Sequence, residues 1–363
     1  MQTLSVSGPA ELLTIIPYQL GFMPSRSVVI LCLHDTRLGM VARLDAQPRE
    51  LAARAAAQVL EVLGREAPTS VLLVGFEDEP GESRPLVDAL TTGLVAIGVA
   101  RRDRLVVRAG RWYCTDACGT CPIEGTAMPD RVDVPAVAGY VALGRAVLPG
   151  REALEGLFAG TDPPAHEVIE AIDAFAEDLD QATRHRRTPP ILGWSDREEL
   201  RHASFAAWAR LLRGDFDTDL PGQHLPALLG GPRDVHVRDA LIAWLSPTTL
   251  SLDHLPPSVV RALAEHCDVR GGPEVDAADA AAWFGVDERD MVQGRLGLLC
   301  RRAPDPHAAP VLSIAAAHAW AHGDGARASA ALDRALEVEP DHRLCHLLRQ
   351  VVEHGIRFEP RSA

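Results

Sequence analysis

The stretch TSVLLVGFEDEPGESRPLVDALTTGLVAIGVARRDRLVVRAGRWYC, residues 69–114, decides the fold class. It opens with TSVLLVGF (69–76), a continuous apolar run of strand length. SRPLVDALTTGLVAIGVA (83–100) has the apolar spacing of a helix, and RLVVRAGRWYC (104–114) gives two short strands around the turn Ala109-Gly110. Upstream, SVVILCL (27–33) and LGMVARLD (38–45) are strand-like runs joined by His34-Asp35-Thr36-Arg37, a connection short enough to predict an antiparallel hairpin. Between that hairpin and the decisive stretch, PRELAARAAAQVLEVLGRE (48–66) is helical in spacing. At the amino terminus, Ser7-Gly8-Pro9 opens a helix over AELLTII and Gly21 stops it. The resulting order, helix, strand, strand, helix, strand, helix, strand, strand, predicts an α/β domain over residues 1–148, a mixed sheet covered by helices.

After Pro149-Gly150 the strand signals fade, and residues 149–363 read as an all-α domain. PPAHEVIEAIDAFAEDLDQATRHRR (163–187) and SDREELRHASFAAWARLLRG (195–214) are long helices, the second with Ser195 as N-cap and Glu198 at capping-box distance. Further helices are predicted over 233–245, 256–267, 276–299 and 309–354. Residues 309–342 resemble one tetratricopeptide unit: Gly323-Asp324 lies between two helices, small and apolar Ala328, Leu332 and Ala335-Leu336 line their contact, and Pro340 ends the second. A single repeat cannot bury its own faces, so this tetratricopeptide-like hairpin is expected to pack on the preceding helices rather than form a peptide-binding superhelix.

Composition narrows the function classes. At 363 residues the length fits two domains. Fifty acidic residues against 36 basic ones, all arginine, give a formal charge of −14, a surface that repels phosphate backbones, so no nucleic acid is expected as partner. The amino-terminal residues lack a basic leader, and Glu11, Pro17 and Gln19 interrupt their apolar positions; neither a secretory signal nor a membrane span is expected, and the compartment predicted is the cytoplasm. The absence of lysine excludes Schiff-base and Walker-type lysine chemistry, and no G-x-S-x-G or H-E-x-x-H motif occurs.

Chemistry concentrates in RWYCTDACGTCP (111–122), where Cys114, Cys118 and Cys121 put three of seven cysteines within eight positions. In a reducing compartment such a cluster suits metal or redox chemistry better than a structural disulfide. Cys114-x3-Cys118-x2-Cys121 matches the spacing that wraps a [4Fe–4S] cluster in radical S-adenosylmethionine enzymes. Those enzymes carry an aromatic residue where this chain has Thr120, and a run of βα units follows their loop, so that reading is set aside. Zinc is a candidate cofactor, with Cys32, Asp116 or one of the 14 histidines as fourth ligand, beside a reversible disulfide or a plain turn of thiols shaped by Gly119 and Pro122. A second dense stretch is LGFMPSRS (20–27). There Arg26, Ser25 and Ser27 could grip an anion, whereas the simpler reading is a helix stop and strand entry with Phe22 as a core plug.

Pro9, Leu12-Leu13, Pro17, Leu20-Gly21-Phe22, Pro24 and Ser27-Val28-Val29, with the later RWYC…CPIEGT, VRDALIAWL and AWAHGDGARASAALDRAL, resemble a family of uncharacterised actinobacterial proteins, domain of unknown function 4192. The resemblance covers most of the chain and implies no activity. In the family pattern a first cysteine is followed by an adjacent Cys-Cys-Pro, whereas here Gly119-Thr120 separate Cys118 from Cys121-Pro122, a spacing that a cluster geometry common to all members would not tolerate. The expectation is a non-enzymatic regulatory or protein-interaction protein whose helical half meets a protein partner; the alternative is a hydrolase or nucleotide-processing enzyme with its site in the α/β domain, or one assisted by metal at the cysteine loop.

Overall fold

The computed structural model describes residues 8–116, 121–142, 145–184, 196–216, 220–267 and 286–356. The chain forms two compact units, Met1–Ala153 and Leu154–Ala363. In the first, α1 (Pro9–Leu20) leads to the hairpin β1 (Ser27–His34) and β2 (Arg37–Asp45), then α2 (Arg49–Glu66), β3 (Ser70–Phe76), α3 (Arg84–Ala96), β4 (Ala100–Arg108), β5 (Arg111–Cys114), β6 (Thr126–Ala127) and α4 (Pro135–Ala142). The sheet runs β2-β1-β3-β4-β5-β6. Among the described strands, β3 and β4, joined by α3, pair in parallel and the other four pairs are antiparallel. This is the mixed sheet predicted from the alternation of elements.

Local chemistry explains the turns. Gly21 takes the left-handed conformation (φ 78°) that ends α1. The β1–β2 turn is Asp35-Thr36, with Asp35 at φ 58°. The β4–β5 turn places both Ala109 (φ 49°) and Gly110 (φ 71°) in the left-handed region, as a two-residue hairpin with the sheet's own twist requires. One boundary differs from the prediction: β4 begins at Ala100, four residues before the apolar run, because Ser70 and Val71 of β3 pair with Ala100 and Arg101. Ladder pairing outweighs the poor strand propensity of ARRD.

Strand alternation sorts the core. Val28, Ile30, Cys32, Val71 and Leu73 point to one face, where they pack with Ala56 and Leu63 of α2 and Leu86, Leu90 and Leu94 of α3. Val29, Leu31, Leu72 and Val74 point to the other and are also buried. Ile15 and Tyr18 of α1 pack against Val137 and Tyr140 of α4.

The units divide within the short helix α5 (Arg151–Glu155). The second is helical: α6 (His166–Arg184), α7 (Asp196–Arg213), a single π-helical turn Pro226–Gly230, α8 (Val235–Leu245), α9 (Pro257–His266), α10 (Val286–Arg302), α11 (Asp305–Ala321), α12 (Gly325–Val338) and α13 (Arg343–Glu353). The predicted cap Ser195 and residues 276–285 lie outside the described residues. Every residue of α11 from His307 to Trp320 is buried, and the helix packs against α8, α10, α12 and α13. Gly323 (φ 82°) and Asp324, whose carboxylate accepts from Arg327 N at 2.9 Å, form the predicted turn into α12. The 309–342 segment is therefore a helical hairpin whose first helix is the centre of a bundle.

Candidate functional site

Cys114 ends β5, and its thiol donates to Asp116 O at 3.3 Å. Asp116 anchors the outgoing arm of the loop: its carboxylate accepts from Arg101 Nη1 at 2.6 Å, Arg104 Nε at 2.9 Å and Arg104 N at 3.2 Å. Partial burial alone would raise the pKa of Asp116, but the hydrogen bonds and charge of the two arginines outweigh it and hold the carboxyl below its ordinary range. The returning arm is pinned by Arg111, which donates to Glu124 O at 2.9 Å and Gly125 O at 2.7 Å. Gly125 (φ 73°) passes against Tyr113, where a Cβ would lie 2.6 Å from the ring.

Cys121 is half-buried on this arm. Cys118 lies outside the described residues. Two proposed fourth ligands are otherwise engaged. Asp116 is taken by arginines, and Cys32 is buried in the sheet core, where desolvation and the charge of Glu66 push its thiol up to about 12. Among the described residues no three His, Cys, Asp or Glu side chains are grouped to hold a metal.

A second polar centre lies at the carboxyl ends of the parallel strands, where open α/β sheets hold their ligands. Glu77, buried, follows directly on β3. Its carboxylate accepts from Gly81 N and Ser83 N at 3.0 Å each, Ser83 Oγ at 2.6 Å and Arg108 Nη1 at 2.9 Å. Gly75 makes room for this closure, since a Cβ there would lie 2.2 Å from Ser83 Oγ. Glu82 binds the same loop from outside, accepting from Asp78 N at 2.8 Å and Glu79 N at 3.1 Å. These backbone bonds first, and Arg26 at 3.1 Å second, lower its pKa. The predicted anion grip of LGFMPSRS is thus divided: Arg26 turns to Glu82, Ser25 is exposed, and Ser27 is buried with no partner for its Oγ. Phe22 is buried, as a core plug should be.

Sequence reasoning found the cysteines but passed over Glu77, Ser83 and Arg108. The available signal was EDEPGES (77–83), a carboxylate set directly between an apolar strand and a helix start.

In the helical unit, Asp234 caps α8 by accepting from His236 N at 2.8 Å, and it takes Arg197 Nη2 at 3.0 Å and Arg201 Nη2 at 2.9 Å. Burial opposes the charge on Asp234, yet the two guanidinium groups and the backbone bond hold its pKa low. His202 Nδ1 and His266 Nε2 lie 3.1 Å apart across α7 and α9. Trp208 donates to Leu228 O at 3.1 Å and is a core residue, as its helical spacing predicted; Trp244 is buried on α8.

No curated protein and no solved structure matches the chain. A family model does, over residues 9–288 and again over 276–359, and most of the chain is thereby covered. The segments that carried the resemblance, the strand entry at Phe22–Val29 and the helices at Val237–Leu245 and Ala319–Leu336, fall within that match, and the chain belongs to the family described as a domain of unknown function, DUF4192.

Proposed function

We propose that the protein is a non-enzymatic regulatory or protein-interaction protein of the cytoplasm, with the partner surface on its helical unit and the cysteine loop stabilising or sensing through metal or redox state. The observation that carries this reading is the Glu77 carboxylate at the amino end of α3. That is where a phosphate would sit in a nucleotide-binding α/β domain. Here the protein's own carboxylate uses those donors, and exposed Asp78 and Glu79 add repulsion. Glu77, Asp116 and Asp234 act as braces, each held by at least one arginine.

Because α11 is enclosed on all sides, the tetratricopeptide-like hairpin offers outer faces and not a groove. Val235 on α8 and Leu347 on α13, each about half exposed at 52% and 50%, are apolar candidates on such faces. Cys267, Cys300 and Cys345 are buried thiols, each pushed up to about 12 by burial, which accords with a reducing compartment.

The full chain should show no turnover of Mg²⁺-ATP, Mg²⁺-GTP or p-nitrophenyl esters, and photo-crosslinkers placed at Val235 and Leu347 in cells should give a discrete adduct absent from Val95 on α3. Turnover that disappears in Glu77→Gln would overturn the reading. Elemental analysis of anaerobically purified protein separates the loop's two roles. Stoichiometric zinc lost in Cys118→Ser and Cys121→Ser favours metal, whereas metal-free protein leaves redox.

A further inference from the structure

The register of the first hairpin pairs Ser27 with Asp45 and Val29 with Arg43, so all four share one face of the sheet, opposite to that of α2 and α3. Arg43 lies flat there, its guanidinium carbon 5.7 Å from the centre of the buried Phe22 ring and its side chain only 11% exposed. Its Nη2 donates to Asp45 Oδ1 at 2.6 Å and to Ser25 O at 3.4 Å. The guanidinium therefore reaches the strand end occupied by Ser27. Two donors are left over: Arg43 Nε and Ser27 Oγ, both buried and both without a hydrogen-bond partner. Such orphans are expensive and require an explanation.

Arginine recognises oxyanions most strongly through the side-on fork of Nε and Nη2. Asp45 engages Nη2 alone and leaves half of that fork idle. Asp45 is itself 57% exposed and shared with Arg151 at 3.5 Å, so it can swing outward.

We propose that Arg43 Nε and Nη2, with Ser27 Oγ, form a binding site for a small carboxylate ligand, held closed by the Asp45 carboxylate as an internal substitute. The two carboxylate oxygens take the arginine fork, Ser27 donates a third bond, and the Phe22 ring supports the apolar side of the fork. Entry runs past exposed Ser25 and Asp45. The site lies on the opposite face from Glu77, and it gives a regulatory protein a small-molecule input without depending on whether the chain has a partner.

The test is titration of the full chain with sodium acetate and sodium benzoate at constant ionic strength, read by calorimetry and thermal shift, with sodium chloride and sodium sulfate as controls. Saturable carboxylate binding is expected, tightened about tenfold in Asp45→Asn because the internal competitor has lost its charge, and weakened about tenfold when Ser27→Ala or Arg43→Lys is added to that background. Ser27→Ala removes an orphaned hydroxyl and leaves the fold intact, which circular dichroism checks. No saturable binding in either wild type or Asp45→Asn would mean that the two donors hold water only and would overturn the proposal. Equal binding of chloride or sulfate, or unchanged binding in Arg43→Lys, would overturn it as well.

Discussion

Asp234 shows how a single residue can hold two roles whose energies separate by mutation. It caps α8 and neutralises Arg197 and Arg201, the latter buried. Losing an N-cap costs about 1 kcal/mol, whereas leaving a buried guanidinium without its carboxylate costs about 3–5 kcal/mol. Asp234→Asn keeps an acceptor for His236 N and removes the charge, so it should lose nearly as much stability as Asp234→Ala in urea denaturation. If Asp234→Asn instead stays within about 1 kcal/mol of wild type, the residue is only a cap. At this scale the sequence was a partial guide. VRDALIAWL announced a helix, but nothing local to Asp234 shows that Arg197 and Arg201, more than thirty residues upstream, close on it. Arg43 is the same case, ordinary in the sequence and unusual only in what its cross-strand neighbours leave unsatisfied.

At the scale of elements, the pairing of α2 with α3 offers a contrast between two glycines. Gly64 lies on the exposed side of α2, and a Cβ there meets nothing within 4 Å. Gly93 lies in α3, where a Cβ would stand 2.0 Å from Leu60 Cδ1 of α2. Neither has the left-handed backbone that only glycine favours, so packing decides the sign. Gly64→Ala should stabilise by about 0.5–1 kcal/mol through helix propensity, and Gly93→Ala should destabilise by about 1–3 kcal/mol because Leu60 must move. Chemical denaturation followed by circular dichroism reads both; a destabilising Gly64→Ala would show that the exposed face of α2 is not free. Strands and helices with strong periodicity were legible in advance, as were both hairpin turns with their Asp35 and Ala109-Gly110 signals. The start of β4 was not, because ARRD becomes a strand only when β3 lies beside it. The two-residue β6 depends in the same way on the return of the cysteine loop to β5.

For the whole molecule, the distribution of histidines sets a direction of acid response. His307, His318, His322 and His342 all lie in the last three described helices or at their caps, and burial, the largest cause in each, lowers the pKa of every one of them. His318, 1% exposed, falls to about 3, with the neighbouring His322 adding to burial and the bonds to Leu245 O and the Arg289 backbone opposing it. An imidazole whose folded value lies below its unfolded value of about 6.5 takes up its proton on unfolding, so its stabilising effect is complete above pH 6.5 and is lost as pH falls. For His318 alone the loss between pH 6.5 and pH 5 is about 2 kcal/mol, a window in which ordinary carboxylates remain ionised. Stability of the full chain in urea should therefore decline from pH 7 to pH 5. His318→Asn, which keeps a donor for Leu245 O at the position of Nδ1 and cannot titrate, should decline less steeply by close to one proton. If the two proteins lose stability with the same slope over that range, His318 is protonated in the folded state, and the dry centre of the bundle around α11 would have to admit water.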